Sequence, residues 1–155
     1  MPADTSRHPL IRAAHPNDHD AIVALALRAW ETVYASVNGV LGPELALALH
    51  GEDWRDDQAR ITRERLEDES ARAWVAEAGG APAGFVTAAV VERRRRTGQV
   101  VIVAADPAVQ RRGVGTALVE HAVRWLREQG MRVAVIGTGG HPSHAPARAL
   151  YESLG

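Results

Sequence analysis

The run QVVIVAADPAVQRRGVGTALVEHAVRWL, residues 99–126, constrains the fold more than any other part of the chain. Its opening QVVIVAA is β-branched and apolar enough to predict a strand buried on both faces. A proline, two adjacent arginines and two glycines follow. The helix predicted over residues 113–129 then carries Val114, Leu118, Ala122, Trp125 and Leu126 on one stripe, and Gly130 supplies a left-handed cap. Strand, tight turn and helix in succession present unpaired backbone N–H groups at a helix N-terminus, where the macrodipole is positive. Such an end can hold an anion. Gly113 and Gly115 would remove Cβ atoms where a phosphate approaches the backbone, which offsets their poor helix propensity. At about 1.5–3 kcal/mol per hydrogen bond to a charged group, three or four amides supply much of the roughly 8 kcal/mol of micromolar binding. A glycine-punctuated turn with no ligand accounts for the same residues equally well. The dinucleotide fingerprint fits less well, because Ala117 and Leu118 follow Thr116 where a third glycine is needed.

The rest of the chain supplies the layers around this unit. Leu10 to Ala13 predicts a short strand, and Asn17 or Asp18 can cap a helix over residues 19–37 with Ile22, Ala26, Ala29, Trp30, Val33 and Val37 on one face. NGVLGPE breaks that helix. A short helical piece over residues 43–50 and a charged helix over residues 56–68 follow. RAWVAEA and GFVTAAVVE flank the turn GGAP as an antiparallel hairpin, and RRRRTG turns the chain into QVVIVAA. MRVAVIG reads as another buried strand, TGGHPSHAP as a loop and APARALYESL as a final helix. The order β, α, α, three meandering strands, α, β, α implies an α/β sheet of mixed direction.

Composition removes several function classes. The 155 residues have no composition break, so residues 1–9 read as a tail and residues 10–155 as a single domain. There is no cysteine, and all 18 basic residues are arginine. Thiol nucleophiles, thiolate zinc sites, Schiff-base lysines and Walker-type phosphate loops are therefore excluded. A net charge of −1 gives no overall field toward nucleic acid or membrane. Neither an apolar leader nor a bilayer-length apolar run is present, and a cytoplasmic protein is expected. The arginines at 93–96 fall in a predicted hairpin turn without a neighbouring aromatic, which favours a solvated turn over a nucleic-acid site.

VIVAADPAVQRRGVGTAL resembles the acetyl-coenzyme-A motif of the GNAT superfamily of N-acetyltransferases, with Gln110, Arg111, Arg112, Gly113, Val114 and Gly115 in register. GFV at residues 84–86 is similar to that family's central hairpin strand. HAPARALYESLG resembles its late helix, with Ala147, Leu150, Tyr151 and Gly155 at the expected intervals. The resemblance implies a mixed, mostly antiparallel central sheet with flanking helices. It also implies direct transfer of acetyl from acetyl-CoA, as co-substrate, to a primary amine on a small molecule or peptide. Carried over, the backbone of Val103 and Ala105 would pair with the pantetheine arm, and the amides from Arg111 to Thr116 would hold the pyrophosphate. Tyr151 would be the general acid that protonates the departing thiolate. A phenol of pKa about 10 is still protonated at neutral pH, and its proton transfer to a thiolate of pKa near 8.5 is uphill by only roughly 2 kcal/mol. A structural tyrosine on an amphipathic helix is the plainer reading of the same residue.

Three departures bear on the chemistry. Gln99 stands where relatives often carry a glutamate that helps deprotonate the amine, and an amide cannot act as base. Asp106, Glu31, His141 and His144 are the other candidates. His144 stands where many relatives have an asparagine that touches the cofactor arm, and imidazole can make a similar bond. His141 and His144 lack a third ligand, so no metal is expected. The chain also stops at Gly155, where relatives continue into a closing β-hairpin, so the domain is expected to be incomplete at its C-terminus, with a homodimer as one way of covering the edge. Trp30, Tyr34 and Trp54 are candidates to line an acceptor site. A non-catalytic acyl-CoA-binding or regulatory module is the alternative function.

Overall fold

The structure, a computed structural model, describes residues 9–50, 53–109 and 113–136, excepting the side chains of residues 32, 33, 36–38, 46, 49 and 50. The described elements are β1 (Leu10–Ala13), α1 (His19–His50), α2 (Trp54–Glu67), β2 (Ala71–Ala78), β3 (Ala81–Glu92), β4 (Thr97–Ala105), α3 (Val114–Glu128) and β5 (Val133–Ile136). The sheet runs in the order β1-β2-β3-β4-β5. Its first three pairings are antiparallel and β4 with β5 is parallel, so the mixed, mostly antiparallel sheet with flanking helices is as expected.

Alternation along the strands divides the core in two. Trp74, Ala76, Val86, Ala88 and Val100 face Val114, Leu118, Ala122 and Leu126 of α3, which therefore buries the stripe read from its periodicity. Trp74 meets Trp125 edge to face at 5.4 Å. On the other side, Val75, Phe85 and Ala104 face Ile22, Leu25 and Ala26 of α1. A fully buried side chain of this size contributes about 1.5–3 kcal/mol, so these two stripes fix both helices on the sheet.

Several local expectations are corrected. Neither Asn17 nor Asp18 caps the first helix; the His15 side chain accepts from the Asn17 N–H and opens a 3-10 turn, Pro16–Asp18, that leads into α1. The Asp18 carboxylate accepts the His15 N–H and pairs with Arg12. Helical backbone continues past residue 37 and is interrupted only at Gly42, whose φ of 80° places a kink just before Pro43. α2 begins at Trp54 because Asp53 is its cap, accepting from the Arg55 N–H. β4 puts Val100 in the α3-side core and Ala104 in the α1-side core, so it is covered on both faces, whereas Val133 and Val135 of β5 are exposed, so that strand is not. Pairing along β3 and β4 steps from Thr87↔Ile102 to Ala88↔Val100, leaving Val101 as an extra residue in β4. This bulge lets Val103 and Ala105 face α3 while Ala104 faces α1.

Candidate functional site

The α3 N-terminus is shaped by its backbone and by what lies under it. Gly113 is the N-cap residue in a left-handed conformation, φ 82° and ψ 7°, and offers no side-chain acceptor to the first-turn amides. The first recorded return bond runs from the Ala117 N–H to the Gly113 carbonyl, 3.0 Å. A helix start leaves its first N–H groups without intrahelical acceptors, and here Val114, Gly115 and Thr116 supply them with no cap side chain competing. Among the described residues, no atom beyond its chain neighbours would lie within 4 Å of a Cβ on Gly113. Positive φ is thus a demand that this glycine meets within the chain itself, apart from any ligand.

Space is decisive one layer down. A Cβ on Gly84 would stand 2.9 Å from both Leu118 Cδ1 and Val114 Cγ1, and one on Gly98 would stand 2.5 Å from Leu126 Cδ2. These two glycines let α3 lie directly on β3 and β4. Nothing local in the sequence signals that role, because the partners lie on a different element.

β4 delivers the chain toward α3 through Asp106. The Asp106 N–H donates to the Ala83 carbonyl (2.8 Å), and the Asp106 carbonyl accepts the Val109 N–H (2.9 Å), closing a 3-10 turn over Pro107–Val109. Its Oδ1 accepts the Ala108 N–H (3.1 Å), while Oδ2 accepts Arg28 Nη2 (2.6 Å) and Nε (3.2 Å) from α1. The Arg28 hydrogen bond first, and then the Ala108 amide, hold this carboxyl below the usual carboxylate range. Such a group takes a proton less readily than an unpaired carboxylate, and Asp106 is here the partner of Arg28. Arg28 carried no sequence signal, lying 78 positions from its partner.

The remaining candidates separate. Val103 and Ala105 are partly buried against the α3-side core and pair with Val86 and Gly84 of β3. Gln99 pairs with Ala89 on one side and Val135 on the other. Glu31 is exposed, with Oε1 3.4 Å from Arg55 Nη2. Tyr34 and Trp54 stack at 4.4 Å and 8°, and Arg55 lies over Trp54 at 4.6 Å. The Tyr34 hydroxyl donates to Gln58 Oε1, and burial followed by the charge of Asp57 pushes its phenol up. Gln58 Nε2 donates to Thr62 Oγ1, so this cluster ties α1 to α2, while Trp30 packs against the α1-side core. Residues 93–96 are an exposed turn, and the Arg96 carbonyl accepts the Arg132 and Val133 N–H groups that start β5. Gln110, Arg111, Arg112, His141, His144 and Tyr151 lie outside the described residues. Among the described residues no cluster of three His, Asp or Glu is placed to hold a metal, and no helix is long and apolar enough to cross a membrane.

A model of the acetyltransferase (GNAT) family matches residues 30–155, most of the chain. The mycothiol acetyltransferase of Amycolatopsis mediterranei (strain U-32) is 33% identical over 116 residues, covering 66% of this chain and 38% of that protein. The ribosomal protein bS18-alanine N-acetyltransferase of Escherichia coli (strain K12) is 47% identical over 53 residues, covering 34% of each. These matches therefore span less than half the length of either relative. The crystal structure of the ribosomal-protein-S18-alanine N-acetyltransferase from Escherichia coli superposes with a TM-score of 0.65 at 23% identity, covering 96% of this chain and 77% of that one. The PaiA N-acetyltransferase of Thermoplasma acidophilum, in complex with coenzyme A, gives a TM-score of 0.69 at 14% identity, covering 96% and 89%. At such identities the two structures speak to fold, which is the same layered sheet. With the family model matched over most of its length, the chain belongs to the GNAT acetyltransferase family.

Proposed function

We propose that this chain transfers an acetyl group from acetyl-CoA directly to a primary amine, without a covalent enzyme intermediate. The observation that carries the reading is the start of α3, where a left-handed Gly113 leaves the amides of Val114, Gly115 and Thr116 without a capping side chain. Those amides suit the pyrophosphate of coenzyme A, with Gln110, Arg111 and Arg112 preceding them in sequence and the backbone of Val103 and Ala105 along the pantetheine arm. The name of the bS18-alanine N-acetyltransferase supports an amine as acceptor.

The amine nitrogen attacks the thioester carbonyl carbon, and the tetrahedral intermediate collapses as the carbon–sulfur bond breaks. Tyr151 gives its phenolic proton to the departing thiolate. A lysine-like amine loses its own proton at a cost of about 4–5 kcal/mol at neutral pH, and Glu31, His141, His144 or a water chain takes it. His144 contacts the cofactor arm. The engagement of Asp106 by Arg28 favours a second reading, a non-catalytic acyl-CoA-binding module, because it weakens one candidate base.

One experiment separates these. Acetyl-CoA is titrated calorimetrically, and coenzyme A release is followed against a panel of amines, polyamines and peptide N-termini, for the parent and Tyr151→Phe. The enzyme reading expects binding, turnover with at least one amine, and a roughly 10²–10⁴-fold lower kcat in Tyr151→Phe at similar acetyl-CoA affinity. Binding without turnover favours the module, and no binding overturns both.

A further inference from the structure

Asp106–Val109 follows the β4 backbone of Val103 and Ala105, where the pantetheine arm of the proposed cofactor would lie, and precedes in sequence the α3 amides proposed for its pyrophosphate. Its entry is fixed at one residue. Asp106 is joined to β3 through its N–H and to the following 3-10 turn through its carbonyl and Oδ1. Oδ2 is left for Arg28, which reaches it from α1 with two N–H donors. α1 packs on the sheet face opposite α3, so Arg28 links the helix layer on one side of the sheet to a turn that feeds the helix on the other.

This pair is weakly placed for stability and well placed for alignment. The Arg28 side chain is 51% exposed and that of Asp106 20%. Ion pairs with one exposed partner contribute little to global stability. Their loss can still change how much of the population holds a short turn in one geometry, and apparent affinity scales with that fraction. With Arg28 removed, Oδ2 turns to water and the carboxylate is free to rotate about its own side chain. The Ala108 N–H bond to Oδ1 then competes with solvent, and the turn over Pro107–Val109 loses its lateral anchor.

We propose that Arg28 is a positioning residue for acetyl-CoA, acting through Asp106 on the turn over Pro107–Val109. The proposal rests on the acetyl-CoA reading of that turn. It does not place Arg28 on the cofactor.

Calorimetric titration of acetyl-CoA into the full chain tests it with Arg28→Met, Asp106→Asn and the double variant. Each single change is expected to weaken binding roughly five- to tenfold, with the double variant no worse than the weaker single one, because both break one contact. Hydrogen exchange without ligand should show the Ala108 amide exchanging faster in Arg28→Met, while the thermal midpoint moves little. A merely structural pair would lower the midpoint and leave affinity alone, which overturns the proposal. Arg28 touching the cofactor itself would make Arg28→Met weak and leave Asp106→Asn at parent affinity, which also overturns it. Losses that multiply in the double variant do the same. A parent that binds no acetyl-CoA overturns the cofactor reading together with this one, whereas a binding parent with insensitive variants overturns this one alone.

Discussion

Gly84 lies directly beneath Leu118, so close that a Cβ there would stand 2.9 Å from Leu118 Cδ1. The same atom would meet Val114 Cγ1 at 2.9 Å and the Ala104 carbonyl oxygen at 3.1 Å, and the last of these is backbone that cannot rotate away. Gly84→Ala should therefore lift the first turns of α3, destabilising the fold by about 1–3 kcal/mol. Urea unfolding reads that loss. Acetyl-CoA affinity should fall as well, because the amides proposed to hold pyrophosphate ride on the lifted turn. Combining Gly84→Ala with Leu118→Ala should cost less than the sum of the two single changes, since the shorter side chain makes room. Strict additivity would refute the contact.

Gly113 separates conformation from space. Its φ of 82° is strained for a side chain with a branched β-carbon, yet among the described residues no atom beyond its chain neighbours lies within 4 Å of the added Cβ. Asparagine visits the left-handed region more readily than other residues with side chains. Gly113→Asn should consequently keep acetyl-CoA affinity within a few-fold, whereas Gly113→Val should lose most of it, with circular dichroism unchanged in both. Equal losses in the two variants would mean that the glycine serves to clear room for the ligand.

What was readable in the sequence was local, and what was not depended on distant partners. α3 could be read residue by residue, from Val114 to the left-handed Gly130, because an amphipathic stripe of period 3.6 and a C-terminal glycine are properties of one segment. The hairpin through Gly79 and Gly80 was legible for the same reason. His15 displaced Asn17 and Asp18 as a cap because Arg12, on the preceding strand, claims the Asp18 carboxylate. The apolar run of β5 reads as buried although Val133 and Val135 are exposed, since sequence cannot show which strand lies beyond the cover of the helices. At the site, Gly113 and its neighbours announced themselves, while Arg28 and Gly84 act through contacts on other elements and left no pattern to read.

Asp18 gives the acid limb of stability a definite sign. Arg12, by hydrogen bonding, holds its carboxyl at about 2, against an ordinary 3.8, and the His15 amide adds to this. A depressed folded-state value contributes stability above the unfolded value and loses it as pH falls through the folded one. The contribution is therefore whole at about pH 5 and above, declines between about pH 4 and pH 2, and is absent below. Asp18→Asn should be less stable than the parent near neutrality, and the gap should close across that window. Chemical unfolding at several pH values measures it, and a gap that stays constant down to pH 2 would sink the assignment.

Thr87 provides a test on the opposite face of the sheet from α3. It sits on β3 between Ala73 of β2 and Ile102 of β4, is 1% exposed, and its Oγ1 has no hydrogen-bond partner among the described residues. A buried hydroxyl without a partner costs about 1–3 kcal/mol of lost hydration. Valine has nearly the same shape and remains β-branched, so it keeps both the packing and the strand preference while removing the orphan oxygen. Thr87→Val should stabilise the fold by about 1 kcal/mol, which for a chain of this size raises the thermal midpoint by roughly 2–4 °C. Thr87→Ser is the informative control, because it retains the hydroxyl and deletes the methyl group that packs in the core. It should be less stable than the parent, giving the order Val, Thr, Ser in calorimetric midpoints. If serine matches threonine and valine falls below both, the hydroxyl is being satisfied, and a water or another group must reach it.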